Sequence, residues 1–276
     1  MVDALVSNTS DFTVMRVRVS LPALDRKPSW NTGVAFSFGG RLGERWEKVS
    51  WNNKRGLMER LITSDGSYTV YSEKYGVTYH SRHGAVTESG HVFINAGLRF
   101  KGVVQREISI LEAGFGTGLN AFMTWLEAER RNFQVDYTGL ELFPIELDSA
   151  ISLGYPEVLG IPERRSDFLH LHQLEWGVQH VLSDNFRFCK RAESIETHCA
   201  PERYDLIYFD AFAPQAQPEL WSNAVFEQLY ESLRPEGILV TYCAQGAFKR
   251  TLKRAGFSVE RLQGPPGKRE MTRATK

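Results

Sequence analysis

Asp210 closes an apolar run, Leu206-Ile207-Tyr208-Phe209, and opens the stretch "DAFAPQAQPELW". A carboxylate at the end of a strand that reads as buried can orient an amine or accept its proton. Taken alone, such an acid is as easily a helix cap or a loop residue. The following residues narrow the choice. Pro214 fixes its own backbone and restricts Ala213 before it, so the segment is stiff. Phe212 beside Asp210 then forms a wall against which a flat base carrying an amine can lie.

A second constellation precedes it. Glu112, Gly114, Gly116 and Gly118 are spaced E-x-G-x-G-x-G directly after the apolar run "ISIL". Glycines let a turn take backbone angles that other residues avoid, and let a ligand approach the main chain. Glu141 ends the next apolar segment, where ribose hydroxyls are held in folds of this kind. A dinucleotide requires G-x-G-x-x-G, with pyrophosphate at the helix N-terminus. Here the spacing differs, and an acid at Glu112 repels pyrophosphate but attracts the ammonium of a methionine moiety. The expected cofactor is S-adenosylmethionine. The alternative is a glycine turn that binds nothing.

These residues need elements to carry them. "EISILEAGFGTGLNAFMTWLEAE" reads as strand, glycine turn and amphipathic helix, with Leu119, Phe122, Met123 and Leu126 on one face. "VDYTGLEL" and "RYDLIYFDAF" are further strands, "NAVFEQLYESL" a helix closed by Pro235-Glu236-Gly237, and "ILVTYC" the next strand. "GAFKRTLKRAG" is a last helix, and "FSVERL" with "KREMTRA" a closing antiparallel pair. Alternation of strand and helix implies parallel βαβ units in a doubly wound α/β sheet, in which ligands sit at the strand carboxyl ends. Before it, "RLITSDGSYTVYSEKYGVTYHSRHG" alternates around Asp65-Gly66 and reads as hairpins, with "HVFINAGL" another short extended or turn element. The expected organisation is a leader over 1–57, disordered or from a mis-assigned start, a β-rich subdomain over 58–100, and the main domain over 101–276. The main domain is expected to carry a helical insertion near 152–185.

Composition excludes some classes. No stretch of about 18 apolar residues exists, so no bilayer-spanning helix is expected, and the N-terminus does not read as a secretory signal. Three cysteines without close pairs, Cys189, Cys199 and Cys243, fit a reducing, cytoplasmic setting. The pairs His80/His83 and His170/His172 lack accompanying ligands, so no metal is expected. Lysines and arginines balance aspartates and glutamates at 33 each, yet residues 246–276 hold nine basic against two acidic side chains. Such an edge is either simply solvated or binds phosphates.

"FDAFAP…PELW", "LEAGFGTGLN" and the terminal "GPPGKREM", together with "SDGSYTVY…YHSRHGAVTESGHVFINAGL", resemble the MnmC-type tRNA methyltransferases, and more closely the stand-alone form without the fused flavin oxidase. The likeness covers roughly 58–273 and no part of 1–57. It implies a class I S-adenosylmethionine-dependent fold, Rossmann-like and mostly parallel with an antiparallel last strand. It implies methylation of the primary amine of 5-aminomethyl-(2-thio)uridine at the tRNA wobble position. By motif match Glu112, Gly114, Gly116 and Gly118 hold the cofactor and Glu141 its ribose. Asp210 is the catalytic acid, with Phe212 and Pro214 beside the substrate. Tyr242 is expected to line the pocket, and Lys268 and Arg269 to contact RNA or the uridine. Glu193, in "KRAESIE", is expected to reach the adenine, although the G-D-A pattern common there is absent. The resemblance further implies a monomer that depends on a separate enzyme for the aminomethyl group. Three rivals share parts of this pattern: a methyltransferase for another amine, a non-catalytic RNA-binding protein on the same fold, and a spermidine-synthase-like aminopropyl transferase.

Overall fold

The computed structural model describes residues 60–276, together with short strands at Asn8–Thr9, Phe12–Thr13 and Lys48–Val49. The leader expected over 1–57 otherwise lies outside the described residues. From Arg60 the chain makes a small antiparallel sheet, β1 (Arg60–Ile62), β2 (Tyr68–Ser72) and β3 (Val77–Thr78), to which Lys48–Val49 adds an edge. The Asp65 carboxylate sets the first hairpin. It accepts from the Thr63 and Ser67 hydroxyls and from the Thr87 amide, so the turn is tied to the segment that follows.

That segment corrects the sequence reading. "HVFINAGL" is helical: α1 (Ala85–Ser89) runs directly into a wide-turn π-helix over Gly90–Arg99. Its β-branched and aromatic residues suggested extension, but Val92, Phe93 and Leu98 are all buried against the main sheet. Tertiary burial outweighs local propensity here. Gly97 marks the closest approach. A Cβ on it would stand 3.1 Å from both Tyr208 and Val240. Gly97→Val is therefore expected to destabilise the protein by about 1–3 kcal/mol through overpacking, read as a lower urea midpoint with unchanged slope.

The main sheet is built from β4 (Glu107–Ala113), β5 (Gln134–Leu140), β6 (Gln179–Ser183), β7 (Phe186–Arg191), β8 (Tyr204–Phe209), β9 (Leu233–Thr241), β10 (Ser258–Gln263) and β11 (Glu270–Thr275). Their order across the sheet is β10-β11-β9-β8-β4-β5-β7-β6. The five central strands run parallel, whereas β11 is antiparallel to both β9 and β10, as the closing pair in the sequence implied. Buried side chains alternate between two faces. Ile110, Leu206 and Tyr208 join one core with Phe122 and Trp125 of α2 (Leu119–Arg131). Leu111, Ile207 and Phe209 join the other, with Phe226 of α6 (Asn223–Ser232) and Phe248 and Leu252 of α7 (Gly246–Arg254). Strands covered on both faces read as continuous apolar runs, which is why these were visible in the sequence. The connection after β5 carries α3 (Leu147–Leu153), α4 (Tyr155–Val158) and α5 (Arg165–Gln173). Among the described residues no helix is long and apolar enough to cross a membrane.

The order of strands reverses at β4, whose neighbours are β5 and β8. Connections leave β5 and β8 on opposite sides, and a crevice opens at their carboxyl ends.

Candidate active site

Three adjacent strand ends build this crevice. The Asp210 amide donates to the Ala113 carbonyl at 3.1 Å, and the Gly114 and Phe115 amides donate to Leu140 at 3.1 and 2.9 Å. Gly114, Gly116 and Gly118 all take positive φ, at 94°, 50° and 73°. The turn they form is open only because they lack side chains. A Cβ on Gly114 would lie 2.9 Å from the Asp210 carbonyl oxygen, and one on Gly116 would lie 3.1 Å from the Tyr79 ring. Above them lies a cavity of about 240 Å³. Gly114, Gly116, Glu141, Glu193, Asp210 and Phe212 line it. Six residues named from the sequence do not: Glu112, Gly118, Pro214, Tyr242, Lys268 and Arg269.

Glu141 is fixed on the cavity wall. Its two carboxylate oxygens accept from the amides of Gly116, at 2.9 Å, and Phe143, at 2.8 Å. Glu193 stands at the far end of the cavity, 3.0 Å from His198 and 3.2 Å from Arg191.

Glu112 is placed differently from the expectation. Its side chain has no exposed surface and is not among the residues that line the cavity. Burial pushes its carboxyl well above the usual range, and the charges of Asp210 and Glu141 add to this against a hydrogen bond from Asn120. The physical reason is its partner: Oε1 accepts from Asn120, which holds the carboxyl in the buried layer against α2.

Asn120 is the residue that sequence reasoning passed over. Its Nδ2 donates both to Glu112 Oε1 at 2.9 Å and to Asp210 Oδ2 at 2.8 Å. Its own carbonyl accepts from the Ser89 hydroxyl. The signal was an amide on the buried stripe of α2, where an apolar residue was due. Asp210 is thus held by one oxygen. Burial first, and the negative charge of Glu88 second, raise its pKa to about 7, against the Asn120 hydrogen bond and the positive charge of Lys268.

The stiff loop after Asp210 is pinned from both sides. Tyr242 donates its hydroxyl to the Ala211 carbonyl and Trp221 its indole N–H to the Phe212 carbonyl, each at 2.8 Å. Tyr242 therefore supports the loop instead of lining the cavity. Phe212 faces an aromatic wall that the hairpins supply, with ring centroids 4.7 Å from Tyr75 and 5.0 Å from Tyr79. Tyr75, Tyr79 and His80 line the cavity too. His80 lies within hydrogen-bonding distance of Thr69 at 3.3 Å and of Thr117 in the glycine turn at 3.5 Å. Burial lowers its pKa to about 4, so it is neutral at physiological pH. The hairpin segment thus forms one wall of the crevice.

Lys268 is part-exposed, donating to Glu88 at 2.8 Å and lying 3.8 Å from the centre of the Tyr242 ring. Arg269 beside it is exposed. The crevice fits S-adenosyl-L-methionine on its own geometry. Gly114 and Gly116 line it with bare backbone, Glu141 is fixed on its wall by the Gly116 and Phe143 amides, and apolar Leu140 and Ile195 line it as well.

Known proteins agree with this geometry. A family profile described as S-adenosyl-L-methionine-dependent methyltransferase matches residues 182–276. The chain is 31% identical over 219 residues to the tRNA 5-methylaminomethyl-2-thiouridine biosynthesis bifunctional protein MnmC of Ectopseudomonas mendocina, covering 72% of this chain and 32% of that protein. The MnmC protein of Burkholderia multivorans is 30% identical over 233 residues, covering 78% and 35%. The chain spans about a third of the length of these relatives. Among solved structures, MnmC2 from Aquifex aeolicus superposes with a TM-score of 0.65 at 24% identity, over 81% of this chain and 72% of that one, which supports the fold. The chain belongs to the S-adenosyl-L-methionine-dependent methyltransferases of the MnmC type, and corresponds to their methyltransferase domain.

Proposed function

We propose that the protein N-methylates the aminomethyl group of 5-aminomethyl-(2-thio)uridine at the tRNA wobble position, giving the 5-methylaminomethyl form. The observation that carries this reading is Asp210: a carboxylate at the switch point, lining the crevice, held by Asn120 and flanked by an aromatic wall. The names of the relatives support the substrate. Bound on the glycine turn, S-adenosyl-L-methionine supplies an electrophilic methyl carbon on its sulfonium. Asp210 directs the acceptor nitrogen through its second oxygen, and Phe212 with Tyr75 and Tyr79 flanks the uracil plane. With the cofactor bound, its methyl group would be transferred to this nitrogen, which Asp210 holds in place. The surplus proton passes to Asp210, directly or through water.

Nucleoside mass spectrometry of unmethylated tRNA, incubated with protein and methyl donor, tests this. The expected product carries one additional methyl on the wobble uridine. Transfer to free small amines with tRNA ignored would instead favour a methyltransferase for another amine.

The basic edge gives a further prediction. Lys253 and Arg254, at the end of α7, are exposed. Reversing both charges should weaken tRNA binding and flatten its salt dependence by about one unit of log–log slope for each phosphate no longer neutralised. Lys268, part-exposed and ion-paired with Glu88, is the third residue of this set, and reversing its charge should add to the effect.

A further inference from the structure

The substrate proposed above is one nucleotide of a chain, and this constrains the mouth of the cavity. A wobble uridine that reaches Asp210 carries a phosphate on each side of its ribose. At least one of them must come to the rim, within one nucleotide of the base. Yet the lining is acidic: Glu141, Glu193, Glu196 and Glu219 line the cavity together with Asp210. Of these five, Glu193 alone meets a guanidinium among the described residues, that of Arg191, which is not part of the lining. Left unopposed, such carboxylates repel a phosphate.

Lys74 opposes them. It is the only lysine or arginine among the described residues that line the cavity. It is exposed, at the tip of the hairpin between β2 and β3. Its Nζ lies 3.0 Å from the centre of the Phe143 ring and 5.0 Å from that of Tyr75. No ion pair to it occurs among the described residues.

The two rings are themselves held. Tyr75 packs on Phe212, and its hydroxyl accepts from Gln217 at 3.2 Å. The Phe143 amide donates to Glu141 at 2.8 Å. The hairpin tip is closed by the Gly76 amide, which donates to the Ser72 carbonyl at 2.8 Å, with Gly76 at φ 67°. The ammonium is thus placed by ring faces and by no carboxylate. A carboxylate partner would cancel its charge. A ring face attracts the cation and leaves its charge uncompensated and N–H groups available to an anion.

We infer, on the tRNA-methylating reading of the site, that Lys74 binds a backbone phosphate flanking the target uridine, held at the cavity mouth for this purpose by Phe143 and Tyr75. Lys74 is then a specificity residue. It favours a uridine within RNA over the free nucleoside, which has no phosphate to offer. Its contact is with one linkage, unlike the general attraction of the basic edge. The cofactor also carries a carboxylate, so cofactor affinity has to be read beside RNA affinity.

The test uses tRNA ligated around a synthetic anticodon loop that carries the aminomethyl uridine. In two further tRNAs the phosphate on the 5′ or the 3′ side of that uridine is replaced by an uncharged methylphosphonate. Single-turnover methyl transfer with saturating cofactor is measured for wild type, Lys74→Met and Lys74→Arg. On the natural tRNA, Lys74→Met should raise the half-saturating tRNA concentration by about tenfold at low salt and flatten its salt dependence by about 0.7 of a log–log unit. The rate at saturating tRNA and the cofactor affinity should stay near wild type, and Lys74→Arg should restore most of the tRNA affinity. One of the two methylphosphonates should cost the wild type a similar factor and cost Lys74→Met little. Equal losses in both proteins would overturn the inference, as would a wild type indifferent to both methylphosphonates. Weaker cofactor binding in Lys74→Met, with tRNA saturation unchanged, would overturn it in favour of a contact with the cofactor carboxylate. Each of these refutes the role of Lys74 in an enzyme that still methylates tRNA, whereas a wild type that transfers no methyl to the aminomethyl uridine refutes the proposed function itself.

Discussion

Asp210→Ala is expected to lower methyl transfer by about 10²–10⁴-fold while the affinity for S-adenosyl-L-methionine changes little. The split follows from where the residue sits. Asp210 lines the crevice at the end of β8, but the glycine turn and Glu141, proposed to hold the cofactor, are hydrogen-bonded independently of its side chain. Asp210→Asn is the sharper version. An asparagine can still accept from Asn120, so the loop keeps its geometry, yet it accepts no proton from the amine. Single-turnover kinetics and cofactor titration on the same preparations read the two effects apart. An Asn variant with wild-type turnover would remove proton acceptance from the role of Asp210.

The pH behaviour has a definite sign. Asp210 is raised from 3.8 to about 7, first by burial and then by Glu88. Below about pH 7 it holds its proton and cannot accept another, so turnover should rise with pH through that region. Stability runs the other way. The folded state binds this proton more tightly than the unfolded chain, so stability falls as pH rises from about 4 to about 7. Asp210→Asn removes that loss. It should therefore gain thermal stability over the wild type at pH 8 and show no such gain at pH 4. A site that is costly to keep ionised in the folded protein, and whose removal stabilises it, is the expected mark of a group retained for chemistry.

How far this was legible in the sequence depends on the range of each interaction. The strands β4, β5, β8 and β9 were legible because burial on both faces makes them continuous apolar runs. Asp210 and the glycine turn were legible because local spacing fixes both. The helix over 85–99 was not, since Val92, Phe93 and Ile94 favour extension locally and are made helical by packing on the sheet. That Glu112 is fully buried and bonded to Asn120 was not legible, because spacing names an acid but not its partner 8 residues on. The bridges that organise the site were hidden by distance along the chain. Asn120 and Asp210 are 90 residues apart, and Glu88 and Lys268 are 180 apart. Lys268 read as one more charge on a basic edge because nothing local to "GPPGKREM" reveals the carboxylate that pairs with it.

Gly114→Val should weaken cofactor binding by about 100-fold or more, through two separable costs. Gly114 stands at φ 94°, a region that disfavours any L side chain by roughly 1–3 kcal/mol. Its absent Cβ also leaves room for the Asp210 carbonyl oxygen, which would be only 2.9 Å away. A side chain there cannot be absorbed by a flexible neighbour. The obstructing atom is backbone, and the loop that carries it is hydrogen-bonded to Tyr242 and Trp221. Relief requires moving the loop, and with it the Asp210 carboxylate that lines the cavity. The substitution should therefore reduce cofactor affinity and turnover together, unlike Asp210→Asn, which reduces turnover alone. Gly160→Ala separates strain from crowding. Gly160 also has positive φ, at 74°, but a Cβ there meets nothing within 4 Å. It should lower the melting temperature without changing cofactor binding, measured by calorimetric titration. If Gly114→Val bound cofactor as the wild type does, close backbone approach at Gly114 would have no part in holding it, and the ligand would have to lie elsewhere along the crevice.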